Sequence, residues 1–225
     1  MKEWLLSFFF PPKCPYCLKW IDYRKTECDE CLAAFKGYAY EKHTPTDELC
    51  VAPFLYKDRI REAIIRYKFN GHKNYCKSFG KMIAYTIRDT YGIDNFDMIT
   101  CVPLYYARKR SRGYDQAELL AQRAALLLAK PYEPLLDKVK NNLEQHNLNS
   151  EERKDNVIGV YSALDREKVN NKRILIIDDV ITTGATISEC CKSLREAGAK
   201  KVICASIAIA GQSEIIITKN GQRFC

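Results

Sequence analysis

The sequence ILIIDDVITTGAT, residues 174–186, decides the fold. It opens on four aliphatic residues, 174–177, and such an unbroken run favours a strand buried on both faces, as in a parallel sheet covered by helices. Two carboxylates, Asp178 and Asp179, follow at the carboxyl end of this strand. Open α/β sheets bind ligands at that edge. The segment therefore predicts an α/β fold with a site at the end of this strand.

A threonine-rich loop comes next and leads into a helical pattern. Apolar residues recur at helical spacing after it, and Gly198 is suited to end the helix: Ile187, Cys190, Cys191, Leu194 and Ala197. The loop thus lies in a strand-to-helix turn, where backbone N–H groups and the helix dipole favour an anion. Gly184 lets the backbone approach a ligand closely, and the threonine hydroxyls add donors. We expect a phosphate site beside the two carboxylates.

A ribose 5-phosphate satisfies both halves of this segment, because its phosphate needs donors and its vicinal hydroxyls need acceptors. Three alternatives compete with it. The aspartates could only cap the helix or solvate the strand end, or they could form a response-regulator pocket, which would not need the threonines. The acidic strand of an ATPase would require a G-x-x-x-x-G-K-[ST] loop, and the sequence contains none.

The composition limits the class of protein and its partners. The chain has 225 residues, a net charge of +8 and a pI near 8.9, so we expect acidic partners such as polyphosphates or nucleic acid. The apolar start is short and lacks a small-residue cleavage site, and no apolar run approaches the ~20 residues of a membrane span. We therefore expect a cytoplasmic protein without a membrane span, whose eleven cysteines include no disulfides.

Four of the cysteines form two CxxC pairs near the N-terminus: Cys14, Cys17, Cys28 and Cys31. Two such turns can complete a closed tetrahedral site for a structural zinc ion. The alternative, a pair of redox motifs, lacks the strand-then-helix context that such motifs have. We predict a zinc-binding module over residues 1–45 and a second domain over residues 46–225, with metal binding supplying folding free energy to the module.

The whole of residues 174–186 resembles the diphosphate-sugar binding signature of type I phosphoribosyltransferases: aliphatic residues, two acids, two further residues, then T-T-G-A-T. The resemblance implies a parallel-sheet, Rossmann-like phosphoribosyltransferase domain that binds phosphoribosyl diphosphate (PRPP) with Mg²⁺. By that resemblance Asp178 and Asp179 hold the ribose hydroxyls. The residues that it assigns to the 5-phosphate are Thr182, Thr183, Gly184, Ala185 and Thr186.

A strongly basic loop follows a second predicted strand, 97–102, and precedes a helix that begins near Asp115. Its cations are Arg108, Lys109, Arg110 and Arg112. They could neutralise a leaving diphosphate under a closing loop that excludes water. They could equally be a solvated or nucleic-acid-binding loop, since Tyr105, Tyr106 and Tyr114 lie among them for stacking or for ordinary packing. Lys68 and Lys73 could also reach a diphosphate, or each could equally be a solvated lysine at a helix end.

A second segment resembles a narrower family. Residues 102–121, V-P-L-x-x-x-R-x-x-x-R-G-Y-D-Q-A-x-x-L-A, resemble a segment of the ComF family of competence proteins. The double CxxC resembles the same family, as do Gln145, Leu148, Glu152, Arg153, Asn156, Val157 and Gly159 in their order. Two departures are Asp115, where that family has asparagine, and the pair Asn141-Asn142 in place of a threonine-containing pair.

The ComF resemblance implies the handling of transforming single-stranded DNA on the cytoplasmic side, with a DNA-uptake helicase or other competence proteins as partners. It also implies a mobile lid at residues 108–112, with Arg108 and Arg112 acting on the diphosphate. The diphosphate loop would be Val102, Pro103, Leu104 and Tyr105. Two functions stay open: a protein that binds PRPP or a nucleotide phosphate together with DNA, and an enzyme that transfers phosphoribosyl to an unidentified amine or base.

Overall fold

A mixed sheet of eight strands organises the chain in the computed structural model, which describes residues 11–35, 37–105, 110, 113–139, 160–211, 213–219 and 222–224. The strands are β1 (Tyr38–His43), β2 (Leu49–Ala52), β3 (Phe54–Leu55), β4 (Met98–Cys101), β5 (Leu136–Lys138), β6 (Tyr161–Ala163), β7 (Arg173–Ile181), β8 (Lys201–Ile209), β9 (Glu214–Lys219) and β10 (Gln222–Phe224). The helices are α1 (Asp29–Phe35), α2 (Asp58–Phe69), α3 (Cys76–Thr90), α4 (Gln116–Leu128), α5 (Arg166–Val169) and α6 (Ala185–Glu196), with 3₁₀ turns at Lys73–Tyr75 and Ile93–Asn95.

The centre of the sheet is parallel, which confirms the predicted α/β fold class. The order is β10-β9-β1-β2-β8-β7-β4, with β3 also paired to β8. β2, β8, β7 and β4 run parallel, whereas β1, β9 and β10 are antiparallel additions at one side. β5 and β6 form a separate two-stranded sheet. The carboxyl ends of the parallel strands therefore meet at one edge.

Helices cover both faces of β7, and this explains its unbroken apolar run. Leu175 and Ile177 contribute to a core shared with α2, α3 and α4. Ile174 and Ile176 point the other way, into a core shared with α6. All four side chains are fully buried. Because successive side chains of a strand alternate between faces, a strand covered on both sides must be apolar at every position.

β7 is longer than the sequence predicted. We expected the strand to end at Ile177, but it continues to Ile181. Val180 and Ile181 pair with Ala208 and Ile209 of β8, so the ladder carries the strand through the two aspartates. Asp178 and Asp179 lie in the last part of the strand instead of just beyond it.

The cysteine knuckles pack directly against the main core. Tyr16, between Cys14 and Cys17, lies with its ring centroid 5.5 Å from that of Phe54 and 5.6 Å from that of Phe79. Its hydroxyl accepts a hydrogen bond of 2.9 Å from Ser78 on α3. The division at residue 45 stays a prediction, and β1, which precedes it, belongs to the main sheet.

β9 and β10 pair antiparallel and form a hairpin near the C-terminus. The two turn residues, Asn220 and Gly221, lie outside the described residues. None of the helices in the described ranges is long and apolar enough to cross a lipid bilayer.

Candidate functional site

The carboxyl ends of β4 and β7 bring two predicted site segments together. The backbone N–H of Val102 donates to the carbonyl of Ile177 over 3.0 Å. The loop that follows β4 therefore leaves the sheet beside Asp178. Val102 is buried, and the other three residues of the predicted diphosphate loop are partly exposed: Pro103, Leu104 and Tyr105. Segments that are about 75 residues apart in sequence thus lie side by side at the carboxyl edge of the sheet, where open α/β sheets bind ligands.

The two carboxylates have different surroundings. Asp178 is partly buried, and its Oδ1 accepts from the backbone N–H of Asp179 over 2.7 Å. Burial, with the adjacent charge of Asp179, raises the pKa of Asp178 to about 7. Asp179 forms an ion pair with Lys68 at the end of α2, with 2.8 Å between Nζ and Oδ1. The pair thus combines one carboxyl that titrates near neutrality and one that is held by a cation.

The threonine loop turns sharply at Gly184, which has φ of 81° and precedes the first turn of α6. A Cβ atom at Gly184 would lie 3.0 Å from Cδ of Pro45 and 3.3 Å from Cα of Thr44. Both the left-handed conformation and the close approach therefore require glycine. Thr183 Oγ1 accepts from the N–H of Ala185 at 3.3 Å. α6 begins at Ala185, and only three residues separate it from the end of β7.

The hairpin turn between β1 and β2 supports this loop, and sequence reasoning missed it. Lys42 Nζ donates to the carbonyl of Thr182 over 2.6 Å and to that of Ala210 over 3.1 Å. Glu48, almost fully buried, accepts from two threonine hydroxyls of the turn and pairs with Arg195 of α6. The β1–β2 hairpin is thereby joined to the start of the threonine loop, at Thr182, and to the last turn of α6, at Arg195.

The sequence of this chain is similar to a known domain family and to several known proteins. The family model of the phosphoribosyl transferase domain matches residues 101–220, which begin at the last residue of β4 and include β7 and the threonine loop. Competence protein F of Haemophilus influenzae is 29% identical over 196 residues, which are 85% of this chain and 82% of that protein. Competence protein ComFC of Streptococcus pneumoniae is 31% identical over 190 residues, covering 84% of this chain and 77% of that protein.

The chain belongs to the ComF family of phosphoribosyl transferase domain proteins. The DNA utilization protein YhgH of Escherichia coli is also similar, at 26% identity over 193 residues, or 84% of this chain and 80% of that protein. The similarity to ComF proteins inferred from the CxxC pairs and from residues 102–121 is confirmed.

Asp115, a departure from the ComF pattern, has a clear role in this structure. It is buried, and its Oδ2 accepts from the N–H of Leu104 over 2.9 Å. Its Oδ1 accepts from the N–H of Glu118 over 3.1 Å and caps α4. Both oxygens accept from backbone donors, and an asparagine offers only one acceptor oxygen. The aspartate, followed by Glu118 as in a capping box, is the signal that could have predicted this support for the diphosphate loop.

Several ComF-type residues lie outside the described residues. They include the catalytic candidates Arg108 and Arg112, together with Lys109 and the segment 140–159. Arg110 is described and exposed. Tyr114 donates its hydroxyl to the carbonyl of Tyr67, and the two rings lie 5.9 Å apart, so this tyrosine is a packing residue.

The four knuckle cysteines of this ComF protein converge on one point. Their Sγ atoms all lie within 4.8 Å of one another, and those of Cys17 and Cys28 are 3.5 Å apart. Four thiolates around a tetrahedral zinc ion with Zn–S of ~2.3 Å lie ~3.8 Å apart. The cluster therefore fits a closed zinc site that leaves no position for a substrate.

Proposed function

We propose that this protein is a ComF-type competence protein that binds PRPP with Mg²⁺, binds single-stranded DNA, and acts in natural transformation on the cytoplasmic side. The observation that carries the PRPP assignment is the meeting of three features at one sheet edge. These are the carboxylates of Asp178 and Asp179, the loop that begins α6, and the loop after β4. The similarity to competence proteins and to DNA utilization proteins supports the DNA role.

Each part of the edge would meet a different part of PRPP. Carboxylate oxygens of Asp178 and Asp179 would accept from the ribose hydroxyls. Backbone N–H groups of Gly184, Ala185 and Thr186, with the threonine hydroxyls, would donate to the 5-phosphate. The loop of residues 102–105 would border the diphosphate, and bound Mg²⁺ would supply positive charge to its oxygens.

Two charges in the site bear on this arrangement. Lys68 occupies Oδ1 of Asp179, so the ribose would use the other oxygen of that carboxylate or share the first with the ammonium. Asp178 has to lose its proton to offer both oxygens as acceptors, and its pKa of about 7 places that change near neutral pH. Arg108 and Arg112 would provide cations over the diphosphate from the loop that follows.

The match to the phosphoribosyl transferase domain favours a second function, the transfer of phosphoribosyl from PRPP to an amine or base. In that reaction the acceptor forms a bond to C1 of the ribose while the C1–O bond to diphosphate breaks. Arg108 and Arg112 would neutralise the departing diphosphate. The chain needs no nucleophile of its own, because the acceptor attacks directly.

Calorimetry and an assay for diphosphate release separate these functions. The wild type is titrated with PRPP and Mg²⁺, beside the double variant Asp178→Asn/Asp179→Asn. We expect the variant to lose PRPP binding while its far-UV circular dichroism is unchanged. Unchanged affinity would place PRPP elsewhere. Diphosphate release, with or without oligo(dT), supports the enzyme, whereas tight binding without release and a salt-sensitive affinity for DNA support the binding protein.

We further propose that Cys14, Cys17, Cys28 and Cys31 hold one structural Zn²⁺. The convergence of their four sulfur atoms supports this assignment. Metal analysis of the purified protein tests it, with one zinc per chain as the expected result.

A further inference from the structure

A groove lies between the cysteine knuckles and the end of α2, apart from the carboxylates. Its cavity volume is about 840 Å³. The knuckle side contributes Lys13, Trp20 and Tyr23, and the other side contributes Arg66, His72 and Lys77. Neither the phosphoribosyl transferase match, which begins at residue 101, nor the PRPP site accounts for this surface.

The groove exposes aromatic rings that a folded chain normally covers. Trp20 is 63% exposed and Tyr23 is 45% exposed. Large aromatic side chains gain free energy from burial, so two of them open to solvent in one concave surface indicate a partner. On the opposite wall the ring of His72 stacks on Tyr75, with centroids 4.9 Å apart and planes inclined by 20°. Flat ring faces thus line both sides.

The charge of the groove is positive. Lys13 Nζ lies 4.3 Å from the centroid of the Trp20 ring, and Lys77 is exposed at the start of α3. Arg66 is fixed by a 3.0 Å hydrogen bond to the carbonyl of Pro15. No aspartate or glutamate is among the described residues that line the groove. Cations beside exposed rings are what a single strand requires, since phosphates attract the former and unpaired bases stack on the latter.

One tyrosine beside the basic loop is occupied by contacts within the chain. Tyr114, one of its three tyrosines, is committed to Tyr67 by a hydrogen bond and by ring packing. Trp20 and Tyr23 are 63% and 45% exposed, and each has a cation beside its ring, Lys13 and Arg24 respectively. This contrast favours the knuckle groove as the place where bases lie.

We propose that this knuckle groove binds single-stranded DNA, with bases stacked on Trp20 and Tyr23 and phosphates beside Lys13 and Lys77. The inference rests on the proposed function in taking single-stranded DNA as the partner. It adds the location and the means of binding: stacking on the zinc-binding part of the chain, away from the PRPP site.

Tryptophan emission reports directly on this surface. The chain has two tryptophans, Trp4 and Trp20, so Trp4→Phe leaves Trp20 as the single emitter. Titration of that full-length variant with oligo(dT) should quench its emission, because a stacked base lies against the indole. Duplex DNA of equal length should quench much less, since its bases are already stacked on one another. Equal quenching by duplex would overturn the stacking model.

The fluorescence anisotropy of labelled oligo(dT) measures how much the aromatic rings and the lysines each contribute to DNA affinity. Trp20→Ala/Tyr23→Ala should weaken binding by about ten-fold or more. Lys13→Ala/Lys77→Ala should lower the slope of log affinity against log salt by about 1.4, from two lost phosphate contacts. The matched control is Lys192→Ala/Lys200→Ala, which removes the same charge from two exposed lysines outside the groove. It should leave the affinity within about two-fold of wild type, beyond the general effect of net charge.

The outcomes separate this inference from the proposed function. If the wild type binds no oligo(dT), the DNA role fails and the groove assignment fails with it. Suppose instead that the wild type binds oligo(dT), that the aromatic variant binds it equally well, and that Trp20 emission is not quenched. The groove assignment alone is then overturned, and the groove serves another partner or another segment of this chain. Unchanged zinc content and melting temperature show that each variant is folded.

Discussion

The ammonium of Lys68, near the end of α2, lies 2.8 Å from Oδ1 of Asp179 on β7. The two side chains are only 18% and 20% exposed. This ion pair joins the helix that borders the knuckle groove to the carboxylates of the proposed PRPP site. A partly buried charge without its partner is costly, so each member of the pair depends on the other.

Replacing Lys68 with methionine should lower the free energy of unfolding by about 1–2 kcal/mol, because Asp179 would keep its charge without a counterion. The loss is smaller than for a fully buried pair, since water still reaches both groups. Urea denaturation at pH 8 measures it. Lys73→Met is the matched control, because Lys73 is exposed on the neighbouring 3₁₀ turn. That change should stay within about 0.5 kcal/mol of wild type. Equal effects of the two variants would mean that the ion pair contributes nothing.

Asp178→Asn should stabilise the protein at pH 8. Burial, with the charge of Asp179, raises the pKa of Asp178 to about 7, whereas the unfolded chain has the ordinary value near 3.8. The folded state therefore holds a proton between these two values that the unfolded state has released, and stability falls as the pH rises from about 4 to 7. Asparagine has no such proton to lose. We expect a gain of about 1–3 kcal/mol at pH 8 that disappears towards pH 4.

Asp179→Asn is the matched control for this pH dependence, and it should act in the opposite direction. It leaves Lys68 without its partner and should lower stability at pH 8. Both single variants should bind PRPP at least about ten-fold more weakly, since each loses a carboxylate acceptor. Urea denaturation at pH 5 and pH 8 gives the stabilities. The assignment of a raised pKa to Asp178 would be contradicted by an Asp178→Asn protein that is less stable than wild type at both values.

The sequence could predict the features of the site that depend on local pattern. The apolar run of β7 indicated a strand covered on both faces, and the helical spacing after the threonines indicated a strand-to-helix turn. The position at which β7 ends could not be predicted in this way. Two aspartates look like the end of a strand, but pairing with β8 is a tertiary effect and extends the ladder to Ile181.

Most contacts that support the site could not be predicted from local pattern. Lys42 contacts the carbonyl of Thr182 across 140 positions in the chain, and no periodicity records such a contact. From the sequence, Lys68 was predicted only as a cation that could reach a diphosphate. No sequence pattern indicated that it pairs with Asp179. Only Asp115 carried a usable signal, in its capping position before α4.

Gly184→Ala should damage both stability and PRPP binding. The alanine would need a left-handed backbone, and its Cβ would lie 3.0 Å from Pro45 Cδ. Strain and contact together should cost about 1–3 kcal/mol and move the loop that is proposed to hold the 5-phosphate. Gly92→Ala separates the two causes. Gly92 has φ of 73°, but its nearest contact would be an ordinary 3.5 Å to Asn95.

Gly92, at φ of 73° and ψ of 147°, lies in a region that is nearly confined to glycine, so we expect its variant to lose about 1–3 kcal/mol from backbone strain alone and to keep the PRPP affinity of wild type. Thermal melts and calorimetry of the two variants give the comparison. A Gly184→Ala protein with unchanged PRPP affinity would show that the turn is only structural.

Removal of zinc should destabilise the main domain as well as the knuckles. Tyr16 lies between two ligand candidates and packs on Phe54 and Phe79, so its position depends on the geometry of the knuckle. Cys31→Ser should lose the metal and lower the free energy of unfolding by at least about 2 kcal/mol. Metal analysis with thermal melts tests this, beside Cys76→Ser, which changes a half-buried cysteine outside the cluster. The Cys76 variant should keep one zinc per chain. If chelated wild type melts at the temperature of the metal-loaded protein, the knuckles do not support the core.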